Sequence, residues 1–155
     1  MAHAAALDIE PEQTCAPLDQ IVTDSRAWTR DEIDPENCIV LLDARARDEV
    51  AQLAKKIADN PLPVLLRHPD QFDMPALRAA MDKAKSLLDT GTGIAVIDRL
   101  PMDELTEDTA VAVFWLLGHL IARPVAQKWD GTMLYDVTDT GAKYSYGVRG
   151  SYTSV

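Results

Sequence analysis

Gly91-Thr92-Gly93-Ile94-Ala95-Val96-Ile97 ends one kind of structure and begins another. The glycines close a run of helical period, and the four apolar residues after them predict a buried strand. Upstream, Leu77, Ala80, Met81, Ala84, Leu87 and Leu88 share one helical face, while Arg78, Asp82, Lys83 and Lys85 occupy the wet side. Asp73 is the expected N-cap of this helix, with Pro75 in its first turn. A dinucleotide-binding fingerprint places its glycines after a strand and before a helix, the reverse of the order here. Gly91 to Gly93 therefore reads as a helix end and a turn rather than a phosphate cradle.

Toward the N-terminus, Pro61 to Gln71 is proline-punctuated and reads as a linker. Before it, Ala46, Val50, Leu53, Ala54 and Ile57 mark one face of a helix that starts near Ala44. Asn60-Pro61 stops it, because a residue preceding proline avoids the α region. Ser25 to Trp28 and Ile39 to Leu42 read as the first ordered pieces, the latter a short strand or extended entry. Residues 1–24 are rich in Ala, Pro and acids without apolar period, and read as a flexible acidic tail.

Toward the C-terminus, Thr106 is the expected cap of a third helix, with Glu107 and Asp108 suited to its first turn. Ala110 to Leu117 is apolar nearly all round, which predicts packing on more than one side. Pro124 ends that helix. Val125–Trp129 and Met133–Val137 then read as strands joined by a turn at Asp130-Gly131. A further turn at Asp139–Gly141 leads into Tyr144–Val155, which is rich in strand formers. The fold class is α+β, a helical layer followed by strands. A two-stranded hairpin is marginal alone, so the expectation is a fragment of a larger sheet. Its open edge near Tyr144–Val155 would pair with a complementing chain or drive self-association.

The formal charge of −10 argues against nucleic acid, and no Lys/Arg run exceeds Lys55-Lys56, which argues against an anionic membrane surface. Ala110 to Ala122 is interrupted by Gly118 and His119 and falls short of the roughly 20 residues of a membrane span. No basic region precedes Leu7, so no signal peptide is read there, and Cys15 and Cys38 have neither metal nor redox spacing. The expected compartment is the cytoplasm. His68-Pro69-Asp70 matches the His-x-Asp pair of facial-triad iron sites, but in a linker, where a solvated loop is the simpler reading. His119 reads as a histidine at the edge of the core. Trp28, Trp115 and Trp129 read as packing residues.

From Phe72 to Val155 the chain resembles the N-terminal half of the TauD/TfdA-like dioxygenases, the taurine/2,4-D dioxygenase superfamily. The resemblance rests on Phe72–Pro75, Gly91–Pro101, Leu116–Leu120, Pro124–Gln127, Leu134–Val137 and Gly147–Thr153, in that order and spacing. It implies a non-haem Fe(II), 2-oxoglutarate-dependent oxygenase on a double-stranded β-helix (a jelly roll), acting on a small organic substrate by oxidative hydroxylation. In this family the iron is held by His-x-Asp/Glu and a distant His, and an arginine further on holds the co-substrate. The first of these would follow the Arg149–Thr153 segment by a few residues, so all four are expected beyond Val155, and residues 25–155 are expected to be the part before the iron site. Alone, the chain is expected to bind neither Fe(II) nor 2-oxoglutarate. The resemblance places Tyr135, Arg149, Ser151 and Thr153 in or near strands that approach the iron, as a wall of the substrate pocket. Arg149 can pair with a substrate anion, or satisfy backbone carbonyls or an acidic neighbour. The alternative function is a non-catalytic remnant or interaction module that pairs through an open sheet edge.

Overall fold

Asp43 opens the first helix, α1 (Ala44–Asp59), by accepting a hydrogen bond from the Ala46 N–H at 2.8 Å. The face read from the sequence is the buried one: Ala46, Val50, Leu53 and Ile57 turn into the core. In the computed structural model, which describes residues 19–137, α1 packs with α2 (Pro75–Asp89) and α3 (Glu107–Ile121) into one helical layer. Each of the three touches the other two. Val50, Leu77, Met81, Val113 and Leu116 are fully buried where they meet.

The strand component is small. β1 (Ile39–Val40) and β2 (Val96–Ile97) pair in parallel, Ile39 opposite Val96 and Val40 opposite Ile97. Parallel neighbours need a long crossover, and α1 and α2 supply it. The Asp98 N–H extends the pairing by donating to the Val40 carbonyl at 2.9 Å. Arg47 of α1 then fastens the end of β2 with a 2.7 Å bond to the Asp98 carboxylate. Helices plus this small sheet make an α+β architecture.

Several local expectations are corrected. Asp73 is exposed and does not cap α2; the N-cap position is Met74, buried and without a side-chain cap. The orphan donors of that helix are taken by α1 instead: Glu49 accepts from the Ala76 and Leu77 N–H groups at 2.9 and 2.8 Å. The linker 61–71 contains two short 3-10 helices, Val64–Leu66 and Pro69–Gln71, each started by a proline-directed bend. The strand predicted over 94–97 shortens to Val96–Ile97 and is not buried, because among the described residues its one partner is β1 and Val96 is half exposed.

Residues 125–137 form no ladder. The predicted turn is there, with Gly131 at φ +90° and the Gln127 N–H donating to the Thr132 carbonyl at 2.7 Å, but the flanks stay extended and unpaired. With no third strand beside them among the described residues, two short strands gain too little to pair along their length.

Other expectations match the geometry. Thr106 caps α3 through Thr109, and α3 packs against both other helices and both 3-10 turns. The segment Ser25–Trp28 is tied to the end of α2: Ser25 Oγ donates to the Gly91 carbonyl at 2.7 Å and Trp28 Nε1 to that of Thr92 at 2.8 Å. Gly91 is required by close approach, since a Cβ there would lie 2.8 Å from the Leu87 carbonyl oxygen. Among the described residues, no helix is long and apolar enough to cross a membrane. The predicted tail up to residue 18, Cys15, the turn at 139–141 and the edge at 144–155 lie outside the described residues.

Candidate functional site

Among the described residues, an open groove of about 990 Å³ lies between the C-terminal end of α1, the outer face of α3 and the extended segment 134–137. Its apolar wall is Ile57, Leu62 and Val64 on one side, Val111 and Phe114 on the other, with Tyr135 and Val137 along the third. Phe114 is 63% exposed, although α3 is otherwise the most deeply packed helix. Glu107, Asp108 and Asp136 line the same groove.

Among the described residues of the lining there is one cation, and it is already engaged. Arg67 is 4% exposed, and its guanidinium donates to the Asn60 and Leu62 carbonyls at 2.8 and 3.1 Å, with a longer approach to that of Ile57. Ile57 and Asn60 belong to the exit of α1 and Leu62 to the loop after it, and a cation at a helix C-terminus also complements the helix dipole. The Arg67 carbonyl in turn accepts from Trp115 Nε1 at 3.0 Å. Arg67 is thus a clasp that binds the α1 exit to α3.

A second cluster joins the loop after α1 to the last turn of α3. The rings of His68 and His119 meet edge to face at 5.4 Å, and His119 packs on Trp115 at 4.5 Å. Burial, and secondarily the neighbouring His68, pushes the His119 imidazole below its ordinary range. Its Nε2 is shielded and has no partner among the described residues. His68 Nδ1 accepts from the Asp70 N–H at 3.3 Å, and the Gln71 side chain closes the box on the His68 N–H at 2.9 Å. The His68-Pro69-Asp70 motif is therefore the start of a 3-10 helix. Sequence reading did not foresee that His119 would stand beside it, since the two are brought together only by the packing of α3.

This cluster does not fit an iron ion. The nitrogen of His68 nearest Asp70 is spent on the backbone, and the Asp70 carboxylate faces the Arg78 guanidinium at 3.4 Å. Among the described residues, no three His, Cys, Asp or Glu side chains are grouped to hold a metal.

Of the residues expected in a substrate wall, Tyr135 lies on the groove, partly exposed, with the Lys128 ammonium 4.5 Å above its ring. Arg149, Ser151 and Thr153 lie outside the described residues. Comparison of the chain with protein-family models and with curated proteins gives no match.

Proposed function

We propose that the chain is the helical entrance layer of a TauD/TfdA-like, Fe(II)/2-oxoglutarate-dependent dioxygenase that hydroxylates a small organic substrate. The observation that supports this reading is the order of the parts. Three helices share one buried core, and the segment that leaves α3 is extended, with Val125, Trp129 and Val137 all more than 60% exposed. Large apolar side chains on an extended segment suit a further layer packed over them. In this reading that layer is the jelly roll, and Tyr135 with Arg149, Ser151 and Thr153 forms one wall of the substrate pocket.

Bound iron with 2-oxoglutarate supplies the oxidising chemistry in such enzymes, and among the described residues no three His, Cys, Asp or Glu side chains are grouped to hold a metal. In this reading the part of the described residues is mechanical: α1 to α3 form the layer from which the segment 125–137 leaves, and the Arg67 clasp fixes the α1 exit against α3.

The test compares two polypeptides. The chain ending at Val155 should neither retain Fe(II) with 2-oxoglutarate nor form succinate. The product of the same reading frame continued past Val155, or the chain mixed with a complementing one, should do both. It should carry His-x-Asp/Glu a few residues on. Stoichiometric iron and succinate formation by the 155-residue chain itself would overturn the division of labour. A continued frame and a complementing chain both lacking that motif would overturn the dioxygenase reading.

A further inference from the structure

The outer face of α3 presents Glu107, Val111, Phe114 and Gly118 at intervals of four, three and four residues, a single stripe along the helix. The stripe begins acidic, becomes apolar and ends bare. The bare position is the informative one. Glycine inside a helix is less favourable than alanine, and what it offers in return is close approach of another backbone. Gly118 is exposed, and a Cβ built on it would meet nothing within 4 Å. Nothing in the described part of the chain uses the space that Gly118 leaves.

The groove beside this stripe is apolar at its floor and negative at its rim. Phe114, Leu62 and Val137 are exposed there, with Glu107, Asp108 and Asp136 around them. Arg67, the cation of the lining, directs its guanidinium to carbonyls of the α1 exit and the loop after it. Among the described residues, the Lys128 ammonium lies over the Tyr135 ring, and three carboxylates, Glu107, Asp108 and Asp136, remain at the lining to meet an incoming chain, on a protein whose formal charge is −10. A second copy of so acidic a chain is a poor match for this rim, and a basic one is a good match.

We propose that this groove docks a basic amphipathic segment of a partner polypeptide. Its apolar side chains sit on Val111 and Phe114, its lysines or arginines meet Glu107, Asp108 and Asp136, and its backbone passes close over Gly118. A groove that takes amphipathic segments by spaced apolar anchors is a recurring mode of peptide recognition. The proposal rests on α3 together with residues 136 and 137 of the extended segment, and uses none of the iron chemistry of the dioxygenase reading.

The probe is a fluorescein-labelled Leu/Lys amphipathic peptide of about four helical turns, titrated into the full 155-residue chain and followed by anisotropy. A Leu/Glu peptide and a Ser/Lys peptide of the same length are the controls. The Leu/Lys peptide should bind in a salt-sensitive manner and the two controls should not. Phe114→Ser, Gly118→Gln and the pair Glu107→Lys with Asp108→Lys should each weaken binding about tenfold or more. Asp48→Lys with Asp82→Lys, which removes equal charge elsewhere, should change it about twofold or less. Gly118→Gln is the sharpest variant, since glutamine favours the helix while its bulk blocks the approach.

Equal weakening by both charge-reversal pairs would reduce the effect to net charge and overturn the proposal. So would wild-type binding no tighter than that of Phe114→Ser and Gly118→Gln, which would mean that the groove is filled by the chain's own residues. Sedimentation showing a dimer that Phe114→Ser dissociates would put a second copy on the stripe, and would overturn it as well.

Discussion

At the scale of single residues, His119 carries a pH dependence whose sign follows from its surroundings. Its imidazole is lowered by burial first and by His68 second, so the folded chain binds that proton less readily than the unfolded chain does. Wherever the unfolded state holds more protons, stability rises with pH. The contribution is therefore complete above the ordinary histidine value of about 6.5, and is lost as pH falls through that value toward the lowered one. Urea midpoints measured at about pH 7.5 and pH 5.5 should fall toward the acid side in the wild type, above the range in which ordinary carboxylates titrate. His119→Leu, which keeps the contact with Trp115 and removes the proton site, should flatten that change; an unchanged slope would remove His119 as its source. None of this was legible in the sequence. His68 and His119 are distant in the chain, and only the seating of α3 on the Pro69–Gln71 turn places one ring against the other.

At the scale of elements, the sequence was most readable where a side chain talks to its own backbone. Asp43 and Thr106 are local caps, and the ends of α1 and α3 lie where proline or a capping side chain requires. The start of α2 was misread because its cap is not local. Met74 is drawn into the core, Asp73 is left facing water, and a carboxylate from the middle of α1 fills the vacancy. No spacing rule within residues 73–77 could name Glu49. Its substitution has a definite consequence, because Glu49 both satisfies two donors and places a negative charge at the positive end of α2. Glu49→Ala should cost about 1–2 kcal/mol in denaturant unfolding, in the range of a lost N-cap. Glu49→Gln, which keeps one acceptor oxygen and loses the charge, should cost less. Asp73→Ala should be nearly neutral, within about 0.5 kcal/mol; an Asp73→Ala effect as large as that of Glu49→Ala would restore the local cap.

At the scale of the whole molecule, the apolar periods of the three helices were enough to name most of the core, because burial is what such periods record. Leu77, Met81 and Ala84 are buried as their spacing requires. The strands were read less well: Val125–Trp129 and Met133–Val137 have strand composition, but composition cannot supply a neighbour, and the ladder is missing among the described residues. The groove escaped notice for the same reason, since Phe114 and Val111 look like core until the packed helix is seen to leave one stripe uncovered. Of the predicted wall, Tyr135 alone lies within the described residues. The helical layer should therefore be the cooperative unit, and the segment 125–137 an attachment to it. Leu116 is fully buried within the core shared by the three helices, so Leu116→Ala should cost about 2–5 kcal/mol and lower the unfolding of all three helices together. Val125→Ala and Val137→Ala, both on the exposed segment, should leave that transition within about 0.5 kcal/mol of the wild type. Amide exchange read helix by helix separates the cases. A common shift in α1, α2 and α3 on Leu116→Ala marks one unit, whereas a loss confined to α3 would divide the layer and make each helix depend on what packs over it.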